Sequence, residues 1–91
     1  MDYKSFHNEV VSMQHRINDS LDDTSHPQSR ELSTLFQQLE DDVQVQKNVQ
    51  TIRDHLKRIE ALVQRLDDAV MSHGDVDTLA DWVRDTLQRV R

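Results

Sequence analysis

Residues 45–70 read VQKNVQTIRDHLKRIEALVQRLDDAV, and their apolar positions decide the fold class. Val45, Val49, Ile52, Leu56, Ile59, Val63, Leu66 and Val70 follow one another at spacings of four and three without exception. A helix brings such positions onto one stripe, because about 3.6 residues complete a turn. The run marks a helix over 46–72 that packs lengthwise on other helices, in the manner of a coiled coil. At about 1.5 Å per residue it is roughly 40 Å long. His55, Leu62 and Ala69 lie one heptad apart beside this seam. A stripe widened in this way suits a bundle helix with more than one neighbour.

Working back from that run, the phase of the pattern slips. Val43 and Val45 cannot both continue one heptad register, yet residues 41–48 contain neither Gly nor Pro. Two readings stay open. Either the chain turns near 43–46, with Asp42 or Asn48 as a cap, or one helix runs from Pro27 to Ser72 with a shifted face. The phase slip favours the turn.

The preceding segment carries Leu32, Leu35, Phe36, Leu39 and Val43 at helical spacing, which gives a helix over 27–43. Ser25 is expected to cap it, with Gln28 reaching back as a capping box and Pro27 in the first turn, where no N–H is needed. The first helix, over 2–22, places Tyr3, Phe6, Val10, Met13 and Ile17 on one face. After 72, His73-Gly74-Asp75 reads as a stop and restart, with Gly74 left-handed and Asp75 capping the next helix. That helix, over 76–90, carries Val76, Leu79, Val83, Leu87 and Val90. The expected fold is one all-α domain over 1–91, an antiparallel bundle of three or four helices.

Composition agrees with helices and narrows the function. The 91 residues include one Gly, one Pro, no Cys and only four aromatic side chains. Without Cys there are no disulfides and no thiolate zinc site. With one Gly, a loop that cradles phosphate is nearly impossible. No apolar run reaches the roughly 18–20 residues of a membrane span. The first residues lack a signal peptide's charged start and apolar stretch, so a cytoplasmic protein is expected. The net charge is −6, carried by residues 1–45, whereas 46–91 balance. Such a chain repels a phosphate backbone, so no nucleic-acid partner is expected.

Chemistry-bearing residues do not converge in the sequence. His7, His15, His26, His55 and His73 contain no His pair at helical chelating spacing, so no metal is expected. Within each of the pairs Asp22-Asp23, Asp41-Asp42 and Asp67-Asp68 the side chains point about 100° apart on a helix; two of the three pairs flank expected helix ends, and they read as solvated rather than catalytic. No nucleophile triad or nucleotide motif is present, so neither catalysis nor a cofactor is expected. The densest cationic stretch is Arg53, Lys57, Arg58 and Arg65, which is expected to face the acidic first half. Trp82 lies about 60° outside the Leu79–Val83–Leu87 face, either edging the core or anchoring an interface.

Ser29-Arg30-Glu31-Leu32, then Leu35, Leu39, Asp42-Val43, His55-Leu56, Ser72-His73 and the closing Leu79–Leu87 helix are similar in order and spacing to a family of short uncharacterised bacterial helical proteins. This chain has Gly74 where that pattern has Pro. The resemblance implies a helical fold and carries no activity, site residue or mechanism.

The reading that follows is a non-catalytic protein-interaction module: an adaptor, chaperone-like or regulatory protein acting through a helical surface. The alternative is an acidic, antitoxin-like neutraliser that covers a basic partner. His55, Leu62, Ala69 and Trp82 are the candidate interface residues. Because the flanking helices are shorter than 46–72, an uncovered apolar strip and hence a homodimer are expected.

Overall fold

Asp2 starts the first helix: its carboxylate accepts hydrogen bonds from the Lys4 and Ser5 amides at 3.1 and 3.2 Å. In the computed structural model, which describes residues 2–90, α1 (Tyr3–Ser20) follows from this cap and ends two residues before the expected 22. It buries Phe6, Val10 and Ile17. The next cap differs from expectation. His26 Nδ1 accepts from the Gln28 amide at 3.0 Å and opens α2 (Pro27–Asp41). Ser25 instead donates its Oγ–H to Asp23 at 2.7 Å. Ser29, buried in the first turn, donates to the Asp23 carbonyl at 2.6 Å and holds the α1–α2 turn against α2.

The chain turns where the register slips. Asp42–Gln46 form a π-helical turn, Lys47 adopts a left-handed conformation with φ 51°, and Asn48 is extended. Asn48 then caps α3 (Val49–Val63), accepting from the Thr51 amide at 3.2 Å. The conflict between the two valines is resolved in favour of one: Val43 is fully buried and Val45 is 70% exposed.

The long helix expected over 46–72 is shorter: α3 stops at Val63, and 64–72 form turns. Asp67 Oδ1 accepts from the Ala69 amide at 2.9 Å, a local turn that competes with helical hydrogen bonding. The Asp67 amide donates to Gln28 Oε1 at 2.7 Å and the Asp22 amide to the Val70 carbonyl at 2.8 Å. The apolar spacing persists because this loop still drops Val70 and Met71 into the interior. Periodic burial continues there without a helix.

The last helix, α4 (His73–Arg89), begins three residues earlier than expected. Ser72 caps it and exchanges hydrogen bonds with Asp75: amide to Oγ at 3.4 Å, hydroxyl to Oδ2 at 2.9 Å. Gly74 is therefore an ordinary first-turn residue, and no glycine has a positive φ. Arg53 of α3 donates to the carbonyls of Leu87 (2.6 Å) and Val90, closing the far end of α4.

The molecule is an all-α, antiparallel bundle of four helices. α2 packs on α1, α3 on α2 and α4 on α3, while α1 and α4 meet along the sparsest seam. Leu32, Phe36, Leu39, Ile52, Leu56, Ile59, Leu62, Leu79 and Val83 fill the interior. Their burial, at about 25 cal/mol per Å² of apolar area, is the main favourable term in folding. The premise of the expected dimer, an uncovered stripe through Leu62, is not met. Leu62 is fully buried by the chain's own helices, and among the described residues the exposed large hydrophobic is Val45.

Candidate binding surfaces

The sparse seam between α1 and α4 is closed by one acid. Glu9 Oε1 accepts from Trp82 Nε1 at 2.9 Å, and Glu9 Oε2 from Arg89 Nη1 at 3.1 Å. The Arg89 hydrogen bonds hold the Glu9 carboxyl below its ordinary range, against the opposing effect of partial burial. Arg89 also meets Asp85 at 3.0 Å and Thr86 Oγ1 at 3.1 Å. Hollows lie on both sides of this clasp. One, of about 260 Å³, has Phe6 and Val90 below Asp2, Ser5 and Arg89; the other, of about 200 Å³, lies between Met13, Arg16 and Trp82.

The end of the bundle that carries the π-turn holds two separate histidine–carboxylate contacts. His55 Nε2 faces Asp42 Oδ2, and His7 Nε2 lies 3.5 Å from Glu40 Oε1. His55 Nδ1, on the other side of its ring, is buried without a hydrogen-bond partner. Tyr3 donates its hydroxyl to the Lys47 carbonyl at 2.9 Å, tying α1 to the turn. Among the described residues no three His, Asp or Glu side chains are placed to hold a metal ion.

The opposite end joins the α1–α2 and α3–α4 turns, and it concentrates the charge. Residues 16–31 and 60–79 hold nine acids against Arg16, Arg30 and Arg65. The net −6 of the chain is thus confined to this end, and the remaining residues balance at eight of each sign. Asp19, Asp22, Asp67 and Asp68 are exposed. The backbone beneath them is held by the Asp22–Val70 bond and by Gln28, whose Nε2 donates to the Arg65 carbonyl at 2.9 Å. Asp23 is held below its ordinary range by the hydroxyl and amide of Ser25.

The four sequence candidates do not form one surface. Leu62 is in the core, His55 is buried beside the π-turn, and Ala69 is exposed in the 64–72 loop. Trp82 edges the core: it is half-buried and stacks on Phe36 at 5.9 Å between ring centroids, with only its indole N–H reaching Glu9. Of the cationic stretch, Arg65 meets Glu31 at 3.2 Å, whereas Lys57 and Arg58 are exposed with no partner among the described residues. Sequence reasoning missed Glu9, which carries no local signal, and the acidic end, which exists only once two distant turns are brought together. No helix of the described residues is long and apolar enough to cross a membrane. No protein-family model matches the chain, and no significant match was found among curated proteins or solved structures.

Proposed function

We propose that this chain is a non-catalytic protein-interaction module that engages a basic partner through the acidic end of its bundle. The observation that carries this reading is the confinement of the whole charge imbalance to residues 16–31 and 60–79. The helices have used their large apolar side chains internally, Val45 apart, so little apolar surface is left to drive association. A surface with a net excess of acids on a cross-tied pair of turns attracts an opposite charge over about a Debye length and speeds encounter. Adaptor and neutraliser roles both use such a surface.

The α1–α4 seam favours a second reading, an apolar docking groove on either side of Glu9, in which Trp82 and Phe6 receive a partner's side chains. Capture from source cells with mass spectrometry names the partner, and two triple variants then locate its site. Asp19→Lys with Asp22→Lys and Asp68→Lys reverses the acidic end. Asp41→Lys with Asp54→Lys and Asp81→Lys makes an equal change elsewhere on exposed positions. Loss of binding in the first variant alone supports the acidic end. Equal retention in both, with loss on Met13→Asp beside Trp82, supports the groove.

A further inference from the structure

The connection between α2 and α3 gathers several unfavourable features within a few residues. A π-helical turn is a rare form of helix, found mostly as a single turn. Lys47 takes a left-handed conformation at φ 51°, which crowds its Cβ against the following carbonyl. Val45 is held out in solvent at 70% exposure. His55 Nδ1 is shut away from water without a hydrogen bond, while Nε2 of the same ring meets Asp42 Oδ2. Residues 41–48 nevertheless contain no Gly or Pro, so nothing in their covalent structure prevents a regular helix.

We propose that residues 42–48 are a hinge that can straighten, joining α2 and α3 into one helix from Pro27 to Val63, with a second copy of this chain supplying the helices that each half then lacks. α1 and α2 of one copy pack on α3 and α4 of the other, and the reverse. The core contacts are those of the closed molecule, because each buried position meets the same neighbours, now from the partner. The one-residue slip between Val43 and Val45 does not obstruct this, since the two halves pack at opposite ends of the long helix. Straightening returns Lys47 to a right-handed conformation and replaces the π-turn with ordinary hydrogen bonds. It gives up the Tyr3–Lys47 hydrogen bond and the Asn48 cap, which a continuous helix does not need. Short hinges under strain are where this exchange occurs. The closed molecule keeps the advantage at low concentration, because its two halves are already tethered.

The test unfolds the full chain in denaturant and refolds it at micromolar and at millimolar concentration. Mass is then read by sedimentation, and an intrachain distance by electron spin resonance. The chain has no cysteine, so Arg30→Cys and Gln64→Cys place spin labels on two exposed positions alone. These lie near adjoining helix ends in the closed molecule, where Gln28 reaches the Arg65 carbonyl. In the straightened helix they are about 50 Å apart. Labelled chains are diluted into unlabelled ones so that only the intrachain distance is read. Refolding at millimolar concentration is expected to give a dimer with the long distance. Lys47→Gly, which accepts the left-handed turn and weakens a straight helix, is expected to lower the dimer constant about tenfold or more, as each dimer holds two hinges. Asn48→Ala, which removes a cap only the closed form uses, is expected to raise it. A monomer at millimolar concentration in both the parent and Asn48→Ala would overturn the proposal. So would a dimer whose intrachain distance stays short.

Discussion

The Trp82 indole donates its Nε1–H to Glu9 Oε1 across 2.9 Å, so the last helix is hydrogen-bonded to the first. The same carboxylate receives Arg89, and one side chain therefore closes the seam that apolar packing leaves sparse. Glu9→Gln keeps an acceptor for Trp82 but removes the charge that Arg89 meets. The pair is partly exposed, with side-chain exposures of 36% and 49%, so a loss of only about 0.5–1 kcal/mol is expected at pH 7. The carboxyl of Glu9 is depressed in the folded state, so its contribution is present above the ordinary glutamate value of 4.5 and is lost as pH falls through the lower folded value. Urea denaturation from neutral to acid pH should show the parent and the variant converging below that range. A constant difference at every pH would assign the loss to packing.

The start of α4 is tested at Gly74. It occupies the first helical turn, and a Cβ built on it meets nothing within 4 Å. Gly74→Ala should stabilise the protein by about 0.5–1 kcal/mol in thermal or urea denaturation. Destabilisation would mean that this glycine holds the left-handed stop read from the sequence.

Core truncations should separate two positions of equal rank in the heptad pattern. Leu56 is fully buried in α3, and Leu56→Ala should cost about 2–5 kcal/mol. Leu66 is half-buried in the loop, so Leu66→Ala should cost less, about 1–2 kcal/mol. Equal losses in urea denaturation would place Leu66 on a continuous helix.

Arg53 and Lys57 share one face of α3 and should behave differently. Arg53 holds the last carbonyls of α4, and Arg53→Ala should speed amide hydrogen exchange in residues 85–90. Lys57→Ala, at an exposed position, should leave exchange there unchanged. Similar protection in the two variants would remove the capping role from Arg53.

The helical class was legible because spacings of three and four recur over the whole chain, and the turn between α2 and α3 was legible as a conflict between Val43 and Val45. The end of α3 was not. Val70 and Met71 keep the burial period through a loop whose shape depends on Asp67 and on Gln28 from another helix. Gly74 misled because its type fits a helix stop, while Ser72 and Asp75 made the stronger start signal. Trp82 could be placed at the edge of its helix from its angle to Leu79, Val83 and Leu87, but its partner Glu9 lies far away in sequence. The acidic end was hidden for the same reason: splitting the charge into sequence halves put the excess in residues 1–45. The antiparallel path sorts it by bundle end instead.

The central claim, that the acidic end engages a basic partner, is tested most directly by titration calorimetry of the captured partner at low and high salt. Counter-ions screen an exposed charged surface and leave apolar docking nearly untouched. Raising sodium chloride from about 50 mM to about 500 mM should weaken binding tenfold or more, since the Debye length falls from roughly 14 to 4 Å. The Asp19, Asp22 and Asp68 reversal should abolish the salt dependence together with the affinity. An affinity that is unchanged by salt and retained in that variant would contradict the account.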